Sequence, residues 1–310
     1  MKNIPTSAEI NSLFANSDPG TVWTKATSIL GRINPSYDTS LVKTVFDDVM
    51  RLFRGEYPGY SSIKTLYHDL SHTLDVFLCG VRLMHGVHIS GTHLTDEEMT
   101  LIMIAALMHD IGYSQMDGEE GGTGAQYTQT HVKRGIAFMR SYLVARHLPL
   151  NFATSLELMI SGTDPALKFS QIDFPDERTR LLGQIVATAD LAGQMADRAY
   201  LEKLLFLYLE FKEARFGNYQ NVYDLLRQTK SFYAITREKL EGAFGGMYAN
   251  LSFHFKDVMG VENNYYLESI EKNIAYLSKV IALDLDEAGY LSMLKRGGIA
   301  KKSQAIVVPD

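Results

Sequence analysis

The stretch LTDEEMTLIMIAALMHDIG, residues 94–112, opens on a helix start signal and closes on two polar residues. Thr95 and Glu98 make a capping box, acids fill the first turn, and Gly112 stands just past the end. Residues 101–108 are apolar on every face, which predicts a helix buried at the centre of a domain. His109 and Asp110 therefore end a buried element. An imidazole and a carboxylate placed there without partners are costly. A cation removes that cost, and it is also favoured near the free carbonyls of a helix C-terminus.

On the N-terminal side lies TLYHDLSHTLDV, residues 65–76. Apolar residues at Ile63, Leu66, Tyr67, Leu70, Leu74, Phe77, Leu78 and Val81 keep helical spacing and predict a helix from Ile63, with Gly80 and Gly86 weakening its end. On such a helix His68 and His72 share a face, and Asp75 and Cys79 continue the stripe. Two histidines so spaced suit a divalent ion, or one ligand and one group working on substrate; a solvated polar face shows the same pattern. On the C-terminal side, IVATADLAGQMAD (185–197) sets Asp190 among Val186, Ala189 and Gly193, where the core should be. Aspartate is rarely buried unpaired, so something cationic should face it. Asp197, at the polar end of the same helix, is expected to meet water.

Helical periodicity extends through the rest of the chain. Helices are expected over about 127–146, ahead of the GTDP turn at 162–165, and over 177–199, 200–216, 221–242 and 263–282, with short helices in the first fifty residues. The tail from Lys295 reads as loosely ordered. The fold class is all-α, organised as an N-terminal helical extension (1–55), a metal-binding helical core (56–215) and C-terminal helices with a tail (216–310). The net charge of -6 argues against a protein built to coat nucleic acid or an anionic membrane. Cys79 is the single cysteine, so no intrachain disulfide forms and a reducing, cytoplasmic setting is expected. The first twenty residues lack a signal-peptide pattern, and no apolar run is long enough to cross a membrane.

Taken in order, YHDLSHTLDV, LMHDIGY and ATADLAG resemble the H…HD…D signature of the HD-domain metal-dependent phosphohydrolase superfamily, across about residues 60–200. The first motif looks most like the cyclic-nucleotide phosphodiesterase branch. The resemblance implies an HD-domain helical bundle that binds one or two divalent ions (Mn, Fe, Co, Ni, Zn or Mg). His72, His109, Asp110 and Asp190 match its metal ligands, with Asp110 bridging where two ions bind. His68 matches the proton donor to the leaving oxygen, so His68 and Asp110 are the catalytic candidates. Asp75 matches a position that orients a ligating imidazole. Asp69 departs from the asparagine usual in phosphodiesterases, and their glutamine-and-aromatic purine clamp has no counterpart. The (p)ppGpp and cyclic-di-GMP hydrolase branches fit less well, because Ile111, Gly112, Tyr113 and Ser114 follow the HD pair in place of their motifs.

The function so implied is hydrolysis of a small phosphorylated substrate, with nucleotides among the candidates, by metal-activated water. Two alternatives are an HD-type diiron oxygenase, for which only His131 is placed as an extra ligand, and a non-catalytic HD-fold ligand-binding or signalling module. His131 is thus a candidate for a second metal. The loop SQMDGEEGGTGAQ (114–126) has no phosphate-loop pattern and reads as a surface loop. Lys133 and Arg134 read as solvated, His85, His88 and His93 as residues of a loop at a helix end, and Thr163 and Asp164 equally as a turn bordering the site or as a simple Asx-type turn.

Overall fold

A computed structural model describes residues 5–14, 16–119 and 121–305, with the side chains of 7 and 8 excepted; Glu120 and the end of the tail lie outside the described residues. Among the described residues there are fourteen α-helices and no strand, so the fold is all-α. No helix among them is long and apolar enough to cross a membrane.

Three short elements lead in: α1 (Ser7–Ser12), α2 (Pro19–Ile33) and α3 (Ser40–Arg54). The centre is α4 (Leu70–Ile89), α5 (Asp96–Met108) and, much later, α8 (Glu177–Ala196). In α5 the capping box is present and every residue from Met99 to Met108 is buried. Helices α6 (His131–Ala145) and α7 (Asn151–Ser161) flank it. The chain then adds α9 (Tyr200–Glu213), α10 (Val222–Glu241), α11 (Leu251–Met259), α12 (Tyr265–Ala282), α13 (Glu287–Met293) and α14 (Ile299–Gln304). Helix α4 packs along α8 and α5, with α2 and α11 closing its outer sides, and α12 packs on α8. One hydrophobic cluster runs from Val22 to Ile299, so the flanking helices share the core with the centre.

Several expectations are corrected. Helix α4 starts at Leu70, because Asp69 caps it by accepting the His72 backbone N–H at 2.9 Å. His68 therefore precedes the helix and shares no helical face with His72. At its other end α4 runs through both glycines to Ile89. Gly86 is required there: a Cβ would stand 1.9 Å from the Asn250 carbonyl oxygen. His85 and His88 are thus helical, and buried His85 pairs with buried His254 (Nδ1 to Nδ1, 3.0 Å). The expected helix from 127 is a 3-10 turn, Ala125–Tyr127, followed by α6. The tail through Gln304 is helical, with α14 packed on α9 and Ile299 buried.

Candidate metal centre

His72 occupies the first turn of α4, His109 caps the C-terminus of α5 with Asp110 next to it, and Asp190 sits on the face of α8 turned toward both. His72 Nε2 lies 3.1 Å from His109 Nε2, 3.1 Å from Asp110 Oδ2 and 3.5 Å from Asp190 Oδ1. His109 Nε2 lies 3.1 Å from Asp110 Oδ2 and 3.7 Å from Asp190 Oδ1. All four residues are buried. His72, His109 and Asp110 form a group that could hold a metal ion.

The fit can be tested on the spacing. Ligand bonds of about 2.1 Å give ligand–ligand edges of about 3.0 Å at right angles and about 3.4 Å in a tetrahedron. The observed edges, 3.1 to 3.7 Å, lie at those values or slightly above them. The Nδ1–H of His109 donates to the Ala106 carbonyl at 2.9 Å, which turns Nε2 inward. Asp110 Oδ2 is buried and makes no well-aligned hydrogen bond, although two imidazole nitrogens approach it at 3.1 Å. A cation between these atoms satisfies them together. With only protons available, burial disfavours the His109 imidazolium, but the Asp110 carboxylate outweighs it and raises the pKa to about 9. Burial likewise disfavours the Asp110 carboxylate, and His109 nevertheless holds it well below the usual carboxylate range.

Around this cluster stands a second set of groups. A Cβ on Gly112 would lie 1.7 Å from the His131 carbonyl oxygen, so only glycine lets the start of α6 come this close. That approach brings His131 Nε2 to 3.4 Å from Asp110 Oδ1, while its Nδ1–H donates to the Thr128 carbonyl at 2.7 Å. Burial lowers the His131 pKa, which favours the neutral ring. Tyr113 stacks between His131 (4.5 Å) and His68 (4.7 Å). His68 thus reaches the centre from a loop instead of a helix face.

Glu210 on α9 had not been singled out in the sequence. It is buried, lies 2.6 Å from His68 Nδ1, and accepts the Tyr67 backbone N–H at 2.6 Å. Burial works against the His68 imidazolium, yet Glu210 raises its pKa to about 9. The signal that marked Asp190, an acid within an apolar helical segment, is also present in FLYLEFKE (206–213).

Other candidates fall elsewhere. Asp75 does not orient His72: it accepts from Asn16 Nδ2 at 2.8 Å, and His72 Nδ1 has no hydrogen-bond partner. Asp197 does not face water alone, because Lys203 pairs with it at 2.5 Å. Arg134 pairs with Glu119 and bonds the Gly112 and Ser114 carbonyls, so it braces the loop after the HD pair. Glu213 ties the same loop down by accepting from the Thr123 backbone and hydroxyl. Burial pushes the Cys79 thiol up to about 12, so it is inert packing.

A family profile, Npun_R2479-like, matches residues 58–118 and 114–244, more than half of the chain. The chain belongs to the Npun_R2479-like family. The family's matched span contains His68, His72, His109, Asp110, His131, Asp190 and Glu210. No curated protein matches the chain.

Proposed function

We propose that this Npun_R2479-like protein is a metal-dependent phosphohydrolase of the HD-domain type, acting on a small phosphorylated substrate. The observation that carries the reading is the buried group His72, His109 and Asp110, in which two imidazole nitrogens face one carboxylate oxygen at 3.1 Å, with Asp190 Oδ1 at 3.5 Å and 3.7 Å from the same nitrogens. His72, His109, Asp110 and Asp190 would hold the ion. When bound, it acidifies a coordinated water and offsets charge on the phosphoryl oxygens. His131 stands 3.4 Å from the far oxygen of Asp110, so these two residues would hold a second ion if one binds.

His68 supplies the proton. Glu210 holds its Nδ1 side at 2.6 Å and favours the imidazolium, leaving Nε2–H to protonate a departing oxygen. Tyr113 stacks on the ring and fixes its plane. Placement of His131 beside Asp110 also favours a second reading, a two-iron oxygenase. A metal-supplemented screen against phosphomonoesters, cyclic nucleotides and nucleotides, run beside iron content and dioxygen uptake, separates them. Hydrolysis with Mn or another divalent ion, read as phosphate freed from a monoester or as a cyclic nucleotide opened to the monophosphate, supports the hydrolase; dioxygen uptake by an iron-loaded protein that hydrolyses none of these esters sinks it.

A further inference from the structure

A cavity of about 240 Å³ adjoins the metal centre, with Asp190 in its wall. Helix α8 forms one side, the GTDP turn and the loop to residue 170 a second, and one stripe of α10 the third. The wall is mainly apolar. Phe169 and Phe244 meet edge to face at 5.2 Å within a small hydrophobic cluster separate from the main core. On α10, Phe232, Thr236 and Lys239 follow at steps of four and three, which is one helical face, and Ala243 lines the cavity just past the end of the helix.

Three features of this wall call for a ligand. Phe232 leaves 43% of its surface exposed although it stands beside an aromatic cluster. Thr236 is 1% exposed and its hydroxyl has no hydrogen-bond partner. Thr229 on the same helix shows the ordinary solution, donating to the Leu225 carbonyl at 2.9 Å. A buried hydroxyl left without a partner is costly, and a polar atom delivered by a ligand removes that cost. Lys168 and Lys239 line the same cavity, as does Asp164 on the GTDP turn, and neither lysine makes an ion pair among the described residues. Unpaired lysines beside an apolar, ring-lined space match an anion with an aromatic body.

We infer that the cavity between α8, the 162–170 loop and α10 is the specificity pocket of the Asp190 centre, and that it takes aromatic phosphoesters. The phosphoryl group sits at the Asp190 end, a ring-sized organic group lies among Phe169, Phe232 and Phe244, Thr236 bonds a polar atom on it, and Lys168 and Lys239 oppose its charge. This assignment rests on the phosphohydrolase reading for the identity of the anion, so binding and turnover are measured separately. The probe is 1-naphthylmethylphosphonate, which cannot be hydrolysed as an ester, titrated by calorimetry into the full chain loaded with Mn²⁺. Phe232→Ala and Lys239→Gln are each expected to weaken binding by roughly fivefold or more. Lys230→Gln, exposed on the same helix and outside the cavity, is expected to leave it unchanged. Failure of the unaltered chain to bind, or equal affinity in all variants, overturns the assignment. Turnover of 1-naphthyl phosphate is read alongside. Binding that depends on Phe232 and Lys239 without turnover upholds the pocket and sinks the hydrolase; turnover with a KM indifferent to both variants does the reverse.

Discussion

Asp190 and His68 carry different burdens, and single substitutions separate them. Asp190 Oδ1 stands 3.5 Å and 3.7 Å from the two imidazole nitrogens and is proposed as the fourth donor. Asp190→Ala is expected to strip most of the metal, read as ions per chain by elemental analysis. Glu177→Ala, at an 88% exposed side chain on the same helix, should retain it. Equal metal in both variants would show that the centre lies elsewhere. His68→Ala should keep its metal and lose about 10²- to 10⁴-fold in turnover of esters with poor leaving groups. Nitrophenyl esters, whose leaving group needs little protonation, should be spared much of that loss. His68 with a pKa of about 9 stays protonated below that pH, so the rate should fall as pH rises through 9. Glu210→Gln removes the opposing charge and should move this limb down by roughly one unit or more. An unmoved limb would take the proton away from His68.

Between elements, the buried Asp75 on α4 tests how the N-terminal segment is anchored. Burial first, and then repulsion from Asp197, raises its pKa to about 7, against an ordinary 3.8. The folded chain therefore binds more protons than the unfolded chain between those values, and stability declines as pH rises through that window. Asp75→Asn removes the ionisation and keeps the oxygen that accepts from Asn16. The variant is expected to melt higher than the unaltered chain at pH 8, with the gap narrowing at pH 5. Parallel melting curves at both pH values would mean that Asp75 stays charged, with Lys203 compensating it. Asp75 also shows how a linear motif misleads: three residues after His72 it lies one turn along the helix, yet its partner comes from Asn16, ahead of α2.

For the molecule as a whole, the ion would fasten α4, α5 and α8, elements that are 37 and 118 residues apart between His72 and His109 and between His72 and Asp190. Binding to the folded state alone adds about 2.7 kcal/mol at one hundred times the dissociation constant. For a chain of this size that is roughly 4 °C in Tm. Chelation should lower Tm by that amount, and readdition of metal should restore it. The same treatment of Asp190→Ala should do little. A melting temperature indifferent to chelator in the unaltered chain would count against a bound ion.

Helix periodicity, the capping box at Thr95 and the apolar run of α5 are local properties, so the all-α class and most helices were legible from residue order. So were His109, Asp110 and Asp190, because a polar group inside an apolar helical segment is conspicuous wherever the helix packs, whereas the spacing of His72 was equally that of a solvated face and only the resemblance made it a ligand. What residue order left open depends on packing between distant segments. Asp69 competes for the helix start and frees His68 into a loop, where Glu210 and Tyr113 hold it instead of a helix face. The close approach allowed by Gly112 carries His131 to Asp110, and the partners of Asp75 and Asp197 come from Asn16 and Lys203. Helical periodicity states which face is buried; which side chain from another helix meets that face is fixed only when the helices pack.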